Sequence, residues 1–201
     1  MIEEYSKNLK DEILDKFVES ESIISKSKNL LDEINICVFK IINSLQLGKK
    51  IILFGNGGSA ADAQHMAAEF VGRYLLERAS IPAISLTTDT SIITAIANDY
   101  DFNKIFSRQC EALLSPKDIV IAISTSGNSQ NVLEGVKTAK KKGAYVISLT
   151  GKSGGLISKY SDLMIKSPSN KTPLIQESQR VIIHIICELT EKYLNQKSNL
   201  N

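Results

Sequence analysis

At 201 residues the chain is long enough for one domain with a substantial buried core. Its make-up is ordinary, 43% hydrophobic and 23% charged, and a net charge of +2 gives no broad electrostatic case for nucleic acid. No apolar run reaches the ~18 to 20 residues that cross a bilayer, and Glu3 and Glu4 stand where a secretory leader would be basic, while the scattered Cys37, Cys110 and Cys187 read as reduced core thiols of a cytoplasmic protein.

Tyr5, Leu9, Ile13 and Phe17 recur at every fourth position and predict an amphipathic helix over residues 2–20. Ser20 to Lys28 is polar and reads as a linker. A second helix follows over 30–47, with Leu31, Ile34, Val38, Ile41, Ile42 and Leu45 on its apolar side and Gly48 as its cap. The first stripe needs an apolar partner; covering the protein's own sheet is one solution, and a subunit interface is the expectation here. From residue 48 the pattern alternates. Strands are predicted at 50–54, 82–87, 118–123, 144–149 and 162–166, and helices at 59–76, 90–97, 103–114, 129–142 and 174–195. Such alternation specifies an α/β fold, a parallel five-stranded sheet flanked by helices. The whole chain, 1–201, is one domain in this reading: N-terminal helices over 1–47, an α/β core over 48–195, and a polar tail.

The chemistry concentrates after the first strand. Gly55-Asn56-Gly57-Gly58-Ser59 is a turn of little bulk that opens an Ala-rich helix, the layout that offers free backbone N–H groups to a phosphate. His65 and Glu69, spaced four apart, share a face of that helix. Other readings fit the same residues. The turn serves any tight strand-to-helix connection. Gly55-x-Gly57-x-x-Ala60 also matches a dinucleotide fingerprint, with Asp89 as its acid, and a His/Glu pair is common on a solvated helix face.

Ligands of parallel sheets bind at the carboxyl ends of the strands, so the remaining loops on that edge matter. Thr87-Thr88-Asp89-Thr90 follows the second strand, and Ser124-Thr125-Ser126-Gly127-Asn128-Ser129 follows the third and opens another helix. Hydroxyls beside a helix N-terminus hold phosphoryl oxygens without Lys or Arg, although the same residues are good N-caps. There is no P-loop, no Gly-x-Ser-x-Gly elbow and no Cys-x-x-Cys. The last helix is apolar nearly all round but carries Gln176, Glu177 and His184, one of the two histidines.

Taken together, Gly55 to Glu69, Leu86-Thr87-Thr88-Asp89, Thr94 to Asp99, Phe106-Ser107-Arg108-Gln109, Ser124 to Ser129 and Ile175-Gln176-Glu177 resemble the phosphoheptose isomerases. These are sedoheptulose 7-phosphate isomerases of the sugar isomerase (SIS) fold. The resemblance runs from about residue 30 to 194 with the motifs in order. It implies a flavodoxin-like sheet and a homotetramer with active sites shared between subunits. The implied reaction converts D-sedoheptulose 7-phosphate to D-glycero-D-manno-heptose 7-phosphate, the first step toward nucleotide-activated heptose for lipopolysaccharide or capsule. At matching positions, it implies that Ser124, Thr125, Ser126 and Ser129 hold the phosphate. Asn56, Gly57, Gly58, Ser59, Asn98, Asp99 and Gln176 line the sugar, and Glu69 and His184 transfer protons.

In some members a zinc ion is held at the positions of His65, Glu69, Gln176 and His184. Gln176 and His184 are ~12 Å apart along a helix axis, so a shared metal needs the glutamine to reach forward and the histidine to lean back. Pro173, Leu174 and Gln179 depart from the family pattern near the expected mouth of the site. Related chains act as replication-initiator-binding proteins or sugar-phosphate sensors; the acidic Glu69 beside intact phosphate loops favours an enzyme.

Overall fold

Alternating strands and helices build one sheet with helices on both faces. The computed structural model of the protein describes the backbone of residues 2–198 and the side chains of residues 8–196, so Tyr5 of the first stripe lies outside the described side chains. The elements are α1 (Ile2–Lys26), α2 (Leu31–Gln46), β1 (Ile51–Gly55), α3 (Gly58–Val71), β2 (Ala83–Ser85), α4 (Thr90–Asp99), α5 (Ile105–Leu113), β3 (Ile119–Ser124), α6 (Gln130–Lys141), β4 (Tyr145–Thr150), β5 (Leu163–Lys166) and α7 (Thr172–Ser198). All strand pairings are parallel, in the order β2-β1-β3-β4-β5. The expected fold class is therefore the observed one.

Two-residue periodicity divides the core. Ile51, Leu53, Ile119, Ile121, Ile147 and Leu149 pack beneath α2, α3 and α7, with Val38, Ile41, Met66, Phe70, Ile182 and Ile186. Ile52, Phe54, Val120, Ala122 and Val146 face the other way, toward Phe106, Cys110, Val132 and Val136 of α5 and α6. Both faces being covered explains why β1 and β3 are uninterrupted apolar runs. Cys37, Cys110 and Cys187 are free and buried, as expected; desolvation pushes the thiols of Cys37 and Cys110 up to about 12.

Two boundaries differ from the sequence reading. The polar stretch 20–28 is not a linker: α1 continues to Lys26 and meets α2 through one tight turn at Ser27–Leu30. Ile23 is buried, and the Ser27 hydroxyl bonds to the Ile23 carbonyl (2.8 Å) and to the Ser178 hydroxyl on α7 (2.9 Å). Tertiary anchoring thus carries a helix through a polar segment.

The second difference is at α3, which stops at Val71 rather than 76. Arg78 returns to the helix end and donates to the carbonyls of Glu69 (2.8 Å) and Phe70 (2.9 Å). A cation there satisfies terminal carbonyls and opposes the negative end of the helix dipole. Arg78 is itself paired with Glu191 of α7 (3.0 Å), and both side chains are almost wholly buried. Glu191 also accepts the backbone N–H of Tyr74 (2.9 Å), Leu75 (2.7 Å) and Leu76 (2.9 Å). The residues expected to continue the helix are thereby turned onto a carboxylate.

The helices α1 and α2 differ in what they cover. Ile34, Cys37, Val38, Ile41 and Ile42 bury α2 on the sheet. Leu9, Ile13 and Phe17 of α1 are exposed in the single chain, Phe17 by 70%. Among the described residues no helix is long and apolar enough to cross a membrane.

The buried pair generates a stability prediction. Burial pushes the Glu191 carboxyl up, but the N–H groups of Leu75, Tyr74 and Leu76 and the Arg78 guanidinium outweigh it and hold the group below the ordinary carboxylate value. A lowered value contributes stability above the unfolded-chain value and loses it as pH falls through the folded one. We expect Arg78→Met to lower the urea unfolding free energy by about 3 kcal/mol, by stranding a buried carboxylate. The stability gap between wild type and Glu191→Gln should be full at neutral pH and close below pH ~4. Equal unfolding curves at neutral pH would remove the pair from this role.

Candidate active site

Strand order reverses between β1 and β3, and the carboxyl ends of these strands open a crevice there. The backbone carbonyl of Asn56 receives the N–H of Ser59 (2.9 Å), which starts α3 directly behind Gly57. The Asn56 side chain crosses the crevice and exchanges two amide bonds with Asn131 of α6, each 2.8 Å. Asn131 is buried and was not singled out in the sequence. Expected to line the sugar, Asn56 thus has its amide fixed in place by a neighbour.

The loop after β3 is already formed. Ser124 donates its hydroxyl to Ser129 (3.3 Å) and accepts the N–H of Gly127 (3.2 Å), and Ser126 accepts the N–H of Asn128 (3.1 Å). Gly127 is in the left-handed region (φ +66°), and a Cβ there would run into the Gly154 carbonyl. Close packing against 154–155 therefore holds the loop. Ser129 sits at the N-cap of α6 without a side-chain cap bond, at the head of a twelve-residue helix whose first N–H groups lack intrahelical partners. Asp89, weighed as a ribose-binding acid, instead caps α4 by accepting the N–H of Ile92 (2.9 Å).

The other half of the site lies where α3 crosses α7. Nε2 of His65 is 2.8 Å from Oε1 of Glu69, and both side chains retain access to solvent, at 29% and 23%. The ring of His184 stands edge-on to His65 with centroids 5.1 Å apart, and the Tyr74 ring lies 5.8 Å from His184. Gln176 lies over Gly58, so closely that a Cβ on Gly58 would strike its amide. Between them is a cleft of about 440 Å³ lined by Gly58, Ala61, Asp62, Gln176, Glu177 and Arg180. Arg180 pairs with Asp62 (2.6 Å) and sets a second guanidinium nitrogen against Nδ1 of His65. Burial pushes the Asp62 carboxyl up, and the charges of Arg180 and His184 pull it partly back.

His65, Glu69 and His184 are thus brought together, with Gln176 at the head of the same crossing. Asn98 and Asp99 stand apart: both are exposed at the C-terminal end of α4, joined to each other by a 2.9 Å bond. Pro173 falls in the first turn of α7, where the missing N–H is no loss. Gln179, expected near the mouth, is instead fully buried, and neither of its amide atoms has a partner among the described residues. Arg180 and Asp62 were missed. A usable signal existed: Gln176, Arg180 and His184 are spaced by four, as a single stripe along one face of the helix.

The zinc expectation can be set against this geometry. Among the described residues no group of three or more His, Cys, Asp or Glu converges as a metal cage. A zinc-binding imidazole donates its other N–H to an acceptor. Nδ1 of His65 faces a guanidinium, which only donates. His65 thus meets a guanidinium on the side where a zinc-bound imidazole would meet an acceptor.

Comparison with known proteins places this geometry. The SIS domain family matches residues 17–151. The chain is 48% identical over 184 residues to a phosphoheptose isomerase of Campylobacter concisus, covering 92% of this chain and 97% of that one. It is 53% identical over 159 residues to one from Geobacter sp. strain M21, covering 79% and 83%. The solved phosphoheptose isomerase of Neisseria gonorrhoeae superposes with a TM-score of 0.87 at 39% identity, over 92% of this chain and 99% of that one. With a SIS domain over most of its length and this degree of likeness, the chain belongs to the phosphoheptose isomerases of the SIS domain family.

Proposed function

We propose that the chain interconverts D-sedoheptulose 7-phosphate and D-glycero-D-manno-heptose 7-phosphate. The observation that carries this reading is the Glu69 carboxylate, partly exposed and held by His65 beside His184, at the head of a sheet edge that also carries the hydroxyl-rich loop 124–129. Relatives bearing the name phosphoheptose isomerase match nearly the whole chain.

Each group has a task. The phosphate sits at the N-terminus of α6 on the hydroxyls of Ser124, Thr125, Ser126 and Ser129, where the helix dipole and free N–H groups favour an anion. Asn56, Gly57, Gly58, Ser59 and Gln176 line the sugar between α3 and α7, and a neighbouring subunit brings Asn98 and Asp99 to a shared site. Glu69 takes a proton from C1 of the open ketose; the electron pair forms a C1–C2 double bond while O2 gains a proton. The enediol then loses the O1 proton, and the carbon proton is returned at C2, leaving an aldehyde at C1. His184 serves the two oxygens and ring opening. The product enters nucleotide-activated heptose synthesis.

The exposed stripe Leu9, Ile13 and Phe17, together with exposed Leu31 and Phe39 on α2, forms the apolar face of a closed homotetramer in this proposal.

Three outcomes follow. Purified protein should consume sedoheptulose 7-phosphate with no other protein or nucleic acid present; intact ligand binding without turnover of any ketose phosphate would mark a sensor or adaptor instead. Glu69→Gln should reduce kcat by roughly 10²-fold or more while substrate binding is largely kept; near-normal turnover would remove Glu69 from the chemistry. Light scattering at micromolar protein should give four chains per particle, and Phe17→Asp should shift the mass downward; a wild-type monomer would contradict the interface.

A further inference from the structure

Asn56 is the first residue past β1, and packing does little to hold the turn it starts. Gly57 and Gly58 are exposed. Gly57 has a positive φ (+54°), and a Cβ added there would meet no atom within 4 Å. Across the crevice, Asn131 sits in the first turn of α6, just behind Ser129, and is 2% exposed. The two side chains exchange a reciprocal pair of amide bonds, 2.8 Å each way. The backbone N–H of Val132 fixes which amide atom is which. It can only donate, so the atom that it meets at 2.9 Å is the Asn131 oxygen. The Asn131 nitrogen therefore faces the Asn56 oxygen, and the Asn56 nitrogen faces the Asn131 oxygen. Both lone pairs of the Asn131 oxygen are then in use, while Asn56, only half-buried, keeps one N–H and one lone pair outside the pair.

We propose that Asn131 is a positioning residue for the substrate: through Asn56 it ties the turn after β1 to the head of α6 and holds the two at the spacing that one sugar phosphate spans. The proposal rests on the reading of that turn as sugar-lining and of loop 124–129 as the phosphate seat. A ligand that reaches both gains from the second contact only if the two are held in register. A turn free to shift must be ordered at the moment of binding, which weakens the complex. The buried amide on α6 removes that freedom in advance. Two parallel bonds suit the task better than one, because they fix the plane of the Asn56 amide as well as its position. An anion that occupies loop 124–129 alone does not sense the tie. Its loss therefore falls on ligands that reach both sides.

The test measures two ligands on the full chain: sedoheptulose 7-phosphate, by calorimetry and by turnover, and inorganic phosphate, by its competition with the sugar phosphate. Asn131→Ala should weaken the binding of sedoheptulose 7-phosphate about tenfold and leave that of inorganic phosphate within about threefold of wild type. Asn131→Ser places a hydroxyl in the buried position but is too short to reach Asn56. It should behave alike, and it carries the test if the alanine chain fails to fold. Asn56→Ala should lose about as much or more. Because both changes remove one interaction, the Asn56→Ala/Asn131→Ala double variant should fall no more than about threefold below the weaker single variant.

Losses that multiply, to about a hundredfold in the double variant, would overturn the proposal, because Asn131 would then act without Asn56. So would an equal weakening of inorganic phosphate, which would leave Asn131 as a residue that only builds the head of α6, or wild-type affinity in both Asn131 variants. Should inorganic phosphate fail to compete in wild type, the seat on loop 124–129 is wrong and the proposal falls with it. If wild type binds the sugar phosphate without turning it over while the binding pattern holds, the isomerase reading fails and the role of Asn131 stands.

Discussion

The buried pair of Arg78 and Glu191 is the constraint on which the site depends. Glu69 and His65 lie on α3, His184 and Gln176 on α7, and the chemistry requires the two helices to keep a fixed crossing. Arg78 closes the last carbonyls of α3, including that of Glu69 itself, and is locked to a carboxylate seven residues beyond His184. Burying two charges is costly. The cost is offset here because every strong donor and acceptor finds a partner: three backbone N–H groups and a guanidinium on the carboxylate, and helix carbonyls on the guanidinium. The result is a rigid frame a single turn away from the proposed base.

Charge is distributed unevenly around the crevice. The loop proposed for the phosphate contains hydroxyls and backbone N–H groups but no cation, so an anion there would be held by dipoles fixed in advance. Cationic charge is placed instead behind the imidazole, at Arg180, where Asp62 neutralises it. The separation suits a substrate with a permanently charged end and a reacting end that is neutral at rest. In the proposed reading, strong, fixed attraction locates the phosphate, while the carbon chemistry is left to one carboxylate and its immediate partners.

How much the sequence disclosed followed the range of the interactions. The sheet was readable because its strands are continuous apolar runs, and the turn at 124–129 because glycine and hydroxyls cluster there. His65 and Glu69 were visible as a local pair. What escaped depends on partners far along the chain. Residues 72–76 look helical until Glu191 takes the N–H groups of Tyr74, Leu75 and Leu76. Residues 20–28 look like a linker until Ile23 is buried and Ser27 bonds to Ser178 of α7. Asn131, Asp62 and Arg180 acquire meaning only when α6, α3 and α7 converge. Gln179, polar in sequence, is enclosed by the fold without a partner for its amide.

The central claim is that Glu69 moves a proton between adjacent carbons through an enediol. Running the isomerisation to equilibrium in heavy water tests it most directly. The account predicts solvent deuterium on C2 of the heptose 7-phosphate, detected by mass and by loss of the C2 proton signal. A product whose C2 hydrogen comes wholly from C1, with no deuterium incorporated after repeated turnover, would indicate a hydride shift and contradict the assignment of a carboxylate base.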